Sequence, residues 1–176
     1  MSKEWLKNDI LQLRAPELTD LDFLFHIEND TRLWSVSACK IPYSHYQLHK
    51  YITESSNDIY IDRQLRLMIT DADNELSGAI DLIDFSPASH RAEIGIVISE
   101  EKRGKGYATA ALELVIQYAK EILNLHQLYA YVFTDNEAAC RLFQKSGFKA
   151  SSELKDWEYR NGKYKNVYLF QLIIQQ

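Results

Sequence analysis

The residues best placed by type and spacing to do chemistry lie between Ile94 and Leu123. There the apolar, β-rich run IGIVIS gives way to a charged turn, EEKRGKG, and then to YATAALELVIQYAKEIL, which has the period of a helix. A strand, loop and helix start of this kind gathers backbone N–H groups at the positive end of a helix dipole, and glycines in the loop let an anion come close. The chemistry this implies is the binding of a phosphate compound beside a β-strand.

Three anion-binding patterns can be tested on this turn. A Walker A loop needs Gly, four residues, then Gly-Lys-Ser/Thr, but Gly104-Lys105 is followed by Gly106 and Ser99 stands where the first glycine belongs. A dinucleotide fingerprint beginning at Gly104 and Gly106 meets Thr109 at its third position and lacks the acidic residue about twenty positions on. The third pattern fits. Arg103-Gly104-Lys105-Gly106-Tyr107-Ala108 resembles the (Q/R)-x-x-G-x-(G/A) acetyl-CoA signature of the Gcn5-related N-acetyltransferase family, with Arg103, Gly106 and Ala108 as the matching positions. A second block, Asn136 to Phe148, resembles the family's N-x-x-(A/S)-x-x-x-(Y/F)-x-K-x-G-F segment. HRAEIGIVIS, LNLHQLYAYV and NGKYKNVYLF are similar to the branch containing ribosomal-protein N-terminal acetyltransferases and spermidine acetyltransferases.

The resemblance implies acetyl-CoA as cofactor. By that carry-over the N–H groups of Arg103, Gly104, Lys105, Gly106, Tyr107, Ala108 and Thr109 hold the pyrophosphate. The strand around Val97 and Ile98 pairs with the pantetheine arm like an added strand. Asn136 touches the arm from the other side, and Phe143 and Lys145 come with the second block. Lys145 equally suits the stabilisation of a helix C-terminus.

Acetyl transfer to an amine needs a neutral amine, a polarised thioester carbonyl and a proton for the leaving thiolate. An alkyl ammonium with a pKa of about 10 must lose a proton first, and Glu93, near the start of the central strand, is the candidate base; a surface carboxylate paired with Arg91 is the competing assignment. The backbone N–H of Ile98 is the candidate carbonyl donor. The third need exposes a departure: many family members carry a tyrosine as acid where this chain has Phe143. Tyr107 or water could protonate the thiolate, the thiolate could leave unaided, or the protein could be chiefly a CoA binder.

For the acceptor, Trp34 and Tyr43 are candidate groove residues, although packing alone explains them nearly as well. A polyamine site should carry carboxylates. The segment Thr31 to Ser44 has none and carries Arg32 and Lys40, with CKIP where the family's spermidine enzymes have an acidic pair. Glu28, Glu54 and Asp58 are left to contribute, so the expected acceptor is a primary amine of a small molecule or protein N-terminus, with a polyamine placed second.

These residues need a scaffold. At 176 residues and 46% apolar composition the chain can bury one core, and a single domain over 1–176 is expected. A net charge of −5 argues against a nucleic-acid surface. Cys39 and Cys140 are too isolated for a disulfide framework or a metal site, and the N-terminus MSKEWLKNDI offers neither a signal region nor a membrane span, so a cytoplasmic protein is expected, with homo-oligomerisation left open.

The elements read in order as a strand over Ile10 to Arg14, a helix after Thr19-x-x-Asp22, and a helix after Ser44-x-x-Gln47. A hairpin follows from Gln64 to Thr70 and Leu76 to Phe85, then a central strand over Arg91 to Ile98. The long helix presents Tyr107, Ala111, Leu114, Val115, Tyr118 and Ile122; after it come a strand over His126 to Phe133, a helix capped at Thr134 or Asn136 and ending at Gly147, and a hairpin around Asn161-Gly162. The sum is an α+β (mixed α/β) fold. In the family it resembles, this is a mostly antiparallel, strongly twisted sheet of about seven strands flanked by about four helices.

Overall fold

A computed structural model describes residues 5–35 and 41–174. Seven strands form one sheet: β1 (Leu11–Arg14), β2 (Leu65–Asp71), β3 (Leu76–Ser86), β4 (Arg91–Ile98), β5 (Gln127–Phe133), β6 (Lys149–Arg160) and β7 (Lys163–Ile173). Their spatial order is β1-β2-β3-β4-β5-β7-β6, with every neighbouring pair antiparallel except β4 and β5. β4 is therefore the middle strand, as its Ile and Val content predicts.

The helices are α1 (Leu21–Glu28), α2 (His45–Glu54), α3 (Ile59–Asp62), α4 (Tyr107–Glu121) and α5 (Glu137–Lys145). Four match the expected set. The four-residue α3 has no periodic signal because it is a single turn; Asp58 caps it by accepting from the Tyr60 N–H at 2.8 Å. The Ser44–Gln47 capping box forms in both directions, at 3.1 and 2.8 Å. The Thr19–Asp22 box does not form. Asp20 takes over there, accepting from the Glu17 N–H and from both terminal nitrogens of Arg14, because a guanidinium is the stronger partner for a buried carboxylate.

At α5 the cap is Asn136, whose Oδ1 accepts from the Ala139 N–H at 3.1 Å, while the Thr134 N–H goes to Asn166. The last hairpin turns through Asn161 and Gly162 at φ +50° and +79°, the pair of left-handed residues that the sequence signals.

Both sheet faces are covered. On one, Ile80, Leu82, Ala92, Ile94 and Leu128 pack under α4 and α5 with Ala111, Leu112, Val115 and Phe143. On the other, Met68 and Ala79 meet Leu24 and Ile27 of α1 and Leu48 of α2. The α4 stripe holds except at Ile122, which is 46% exposed because α4 ends one residue earlier; Leu123 and Leu125 reach the core instead.

The pairing of β4 with β5 positions the site. It covers only Arg91↔Gln127, Ala92↔Leu128 and Glu93↔Tyr129, although β4 runs on to Ile98 and β5 to Phe133. Beyond Glu93 the two strands are not paired to each other, and a gap opens in the centre of the sheet.

Candidate active site

The strand parity of β4 decides which backbone groups face the gap. The Ser99 N–H donates to Ser77 on the β3 side at 2.9 Å. Backbone groups alternate sides along a strand, so Val97 and Gly95 also face β3, while Ile98 and Ile96 face away from it into the gap. Val97 therefore contributes only its side chain, packed on the α1/α2 face, whereas Ile96, absent from the sequence-derived set, offers the main-chain donor and acceptor. The Ile98 C=O is engaged by Arg103 Nε at 3.1 Å, and its N–H points into the gap.

The turn after β4 ends at α4, where Gly104 and Gly106 adopt φ +75° and +83° with open space around the position a Cβ would take. The first bond across the α4 cap runs from the Ala110 N–H to the Gly106 C=O at 3.1 Å, so the N–H groups of Tyr107, Ala108 and Thr109 precede the helical ladder. The Arg103 N–H is not part of this set. It donates to the Glu100 C=O at 3.3 Å. Exposed Lys105 adds positive charge there. Helix-terminal donors, a glycine turn and an unpaired strand edge together suit the pyrophosphate and amide-bearing arm of CoA.

Asn136 stands at the start of α5, one of its carbonyl lone pairs spent on the cap. Lys145 is exposed in the last turn of α5. Phe143 is 4% exposed, packed against Phe148 and Phe170 with ring centroids at 5.1 and 6.0 Å, so its ring is part of the core. Phe143→Tyr would put a hydroxyl into that apolar cluster. We expect it to lower stability by about 1–2 kcal/mol and to leave kcat within about twofold, measured by thermal melts and initial rates.

Glu93 is half-buried at the last position of β4 paired with β5, between Ile83 of β3 and Tyr129 of β5. Burial, together with the charge of neighbouring Asp84, pushes its carboxyl up to about 7. Asp84 reaches the site through a bulge. The β3–β4 register shifts between Ile83 and Ser86, and Asp84 takes φ +47°, a conformation aspartate tolerates better than most residues. Its Oδ2 accepts from the Tyr129 hydroxyl, whose own pKa is raised by burial and by that bond. Sequence reasoning missed Asp84. The only signal was the break in alternation in Asp81-Leu82-Ile83-Asp84.

Beside Ile83 and Asp81, a cleft of about 290 Å³ opens between α2 and the sheet, also lined by Glu28, Tyr43, Tyr51 and Arg66. Arg66 binds Asp81 through Nε and Nη2 at 2.8 Å each, and Glu28 through Nη1. Two carboxylates around one guanidinium leave the wall with an excess of negative charge. Tyr43 is fixed by a two-way bond with Asn29, its N–H to Oδ1 at 2.8 Å and its C=O from Nδ2 at 2.9 Å.

Trp34 does not line this cleft. Its Nε1 donates to the Glu28 C=O and its own C=O accepts from Arg160, both at 2.8 Å, which ties the segment after α1 to β6. Lys40 lies outside the described residues.

The acetyltransferase (GNAT) domain model matches residues 11–149. The chain belongs to the GNAT family. It is 32% identical over 160 residues to the spermidine N(1)-acetyltransferase of Escherichia coli K12, covering 89% of this chain and 82% of that one. To the Vibrio cholerae spermidine N(1)-acetyltransferase it is 30% identical over 161 residues, 91% of each chain. The crystal structure of the Vibrio cholerae spermidine N-acetyltransferase with CoA and spermine superposes with a TM-score of 0.86 at 29% identity, over 94% of this chain and 96% of that one.

This GNAT chain is thus an acetyl-CoA-dependent N-acetyltransferase with a primary amine as acceptor. When bound, acetyl-CoA supplies the thioester whose acetyl group passes to that amine.

Proposed function

We propose that the acceptor is an aliphatic polyamine of the spermidine class, and that Glu93 removes the proton from its reacting ammonium. The observation that carries this is the Glu93–Asp84 pair at the mouth of the β4–β5 gap: one carboxyl raised to about 7, and a second carboxylate held by Tyr129. A carboxyl near neutrality suits a general base, and the adjacent charge suits a second ammonium. The absence of carboxylates from Thr31 to Ser44 speaks less against a polyamine once the sheet and α1 supply Asp84, Glu93, Asp81 and Glu28. The names of the relatives point the same way.

In this reading Gly104, Lys105, Gly106, Tyr107, Ala108 and Thr109 hold the pyrophosphate. The Ile96 main chain aligns the arm, and the Ile98 N–H faces the acyl oxygen. Glu28 and Tyr43 line the acceptor approach.

The test is a panel of spermidine, putrescine, a monoamine and a short peptide with a free N-terminus, followed by CoA thiol release and product mass. Spermidine should give the highest kcat/KM, at least about tenfold above the monoamine. Turnover of the peptide alone would reject the assignment.

A further inference from the structure

Beyond Tyr129, the same face of β5 carries Tyr131 and Phe133, since alternate residues of a strand share a face. Tyr131 meets Tyr129 edge-on at 5.8 Å between centroids, and Trp157 of β6 stacks on Tyr131 at 6.3 Å and 19°. These two outer rings are open to solvent, Tyr131 at 44% and Trp157 at 55% exposure. The array therefore starts at the tyrosine that holds Asp84 and runs outward from the carboxylate pair.

Phe133, next along the face, shows what this surface attracts. The Arg160 guanidinium lies 5.4 Å and the Lys165 ammonium 6.0 Å from its ring centre. No such cation covers Tyr131 or Trp157 among the described residues. Tryptophan and tyrosine are the better cation acceptors, because their rings carry the larger negative potential on the face.

We infer that Tyr131 and Trp157 form a distal subsite for the acceptor, taking the ammonium group remote from the reacting amine by cation–π contact. This rests on the polyamine reading above and adds to it a length requirement. An acceptor must present a second positive centre beyond the Glu93–Asp84 pair to gain from the subsite; a monoamine cannot. The occupant is fixed by charge complementarity and by continuity with the acceptor site through Tyr129.

The experiment compares wild type, Trp157→Ala, Trp157→Phe and Tyr131→Leu, with spermidine and with butylamine as acceptors. For Trp157→Ala and Tyr131→Leu, the KM for spermidine should rise roughly five- to tenfold with kcat within twofold, while the KM values for butylamine and acetyl-CoA stay unchanged. Trp157→Phe should recover most of the loss. Calorimetric binding of spermine to wild type and Trp157→Ala without acetyl-CoA reports on the subsite independently of turnover and should show the same weakening.

Equal losses for spermidine and butylamine would overturn the subsite. So would unchanged spermine affinity in Trp157→Ala, or a change only in oligomeric state. If wild type turns over no polyamine, the functional proposal fails, and weakened spermine binding in Trp157→Ala would still uphold the subsite.

Discussion

Glu93→Gln is expected to lower kcat with spermidine by about a hundredfold and to remove an ascending limb near pH 7 from the kcat/KM profile. The carboxyl must be ionised to accept a proton, and burial with the Asp84 charge sets its midpoint at about 7, so activity in the wild type climbs as pH passes that value. Asp84→Asn should move the limb to lower pH, because removing the adjacent charge makes ionisation easier.

Stability changes in the opposite sense. A carboxyl whose folded pKa is raised binds its proton more tightly in the native state, so its contribution is full below the unfolded value of 4.5 and is lost as pH rises to about 7. Glutamine stays neutral throughout. At pH 8 the variant should therefore be more stable than wild type, by about 1–2 kcal/mol after allowing for partial solvent screening. A slow enzyme that melts higher at pH 8 and not at pH 4.5 separates loss of a base from general damage.

Gly78→Ala should give the largest loss of stability. A Cβ at that position would lie 2.1 Å from the Val97 carbonyl oxygen and 3.1 Å from the Ile98 Cα. The obstacle is backbone in the middle of the sheet, so no rotamer change relieves it, and β3 and β4 must separate. Overpacking of this kind costs about 3 kcal/mol, which corresponds to a fall in Tm of roughly 6–12 °C in a chain of this size. Since Ile98 is the β4 partner of Gly78, the same displacement moves the N–H that faces the gap. The surviving folded fraction should thus show a kcat loss larger than its rise in KM for spermidine, measured beside calorimetric melts.

Most of the scaffold was legible because its signals are local. Ser44-x-x-Gln47, Asn161-Gly162 and Gly147 each need only a few neighbouring residues to act, and each performs in the structure the role its spacing predicts. The glycine turn before α4 was legible for the same reason, since Gly104 and Gly106 take the left-handed conformations that their residue type allows, while the capture of the Arg103 N–H by Glu100 was not.

The unreadable features depend on distant partners. Asp84 owes its position to a bulge and to Tyr129, 45 residues away, and Glu28 and Asp81 meet through Arg66. A search for acceptor carboxylates along the chain picks out Glu28 without its Arg66 partner and passes over Asp81 and Asp84. Phe143 was legible as a departure from the family tyrosine, but its burial against Phe148 and Phe170 required the packed structure.

The parity of β4 has a consequence for inhibition. Ile96 and Ile98 present main-chain groups to the gap, which every residue type except proline would present alike. An alanine scan would pass over these two positions as donor contacts, whereas Ile96→Pro would delete one outright. A compound anchored on that edge would gain affinity but little selectivity among chains sharing the register. Discrimination would have to come from side chains at its rim.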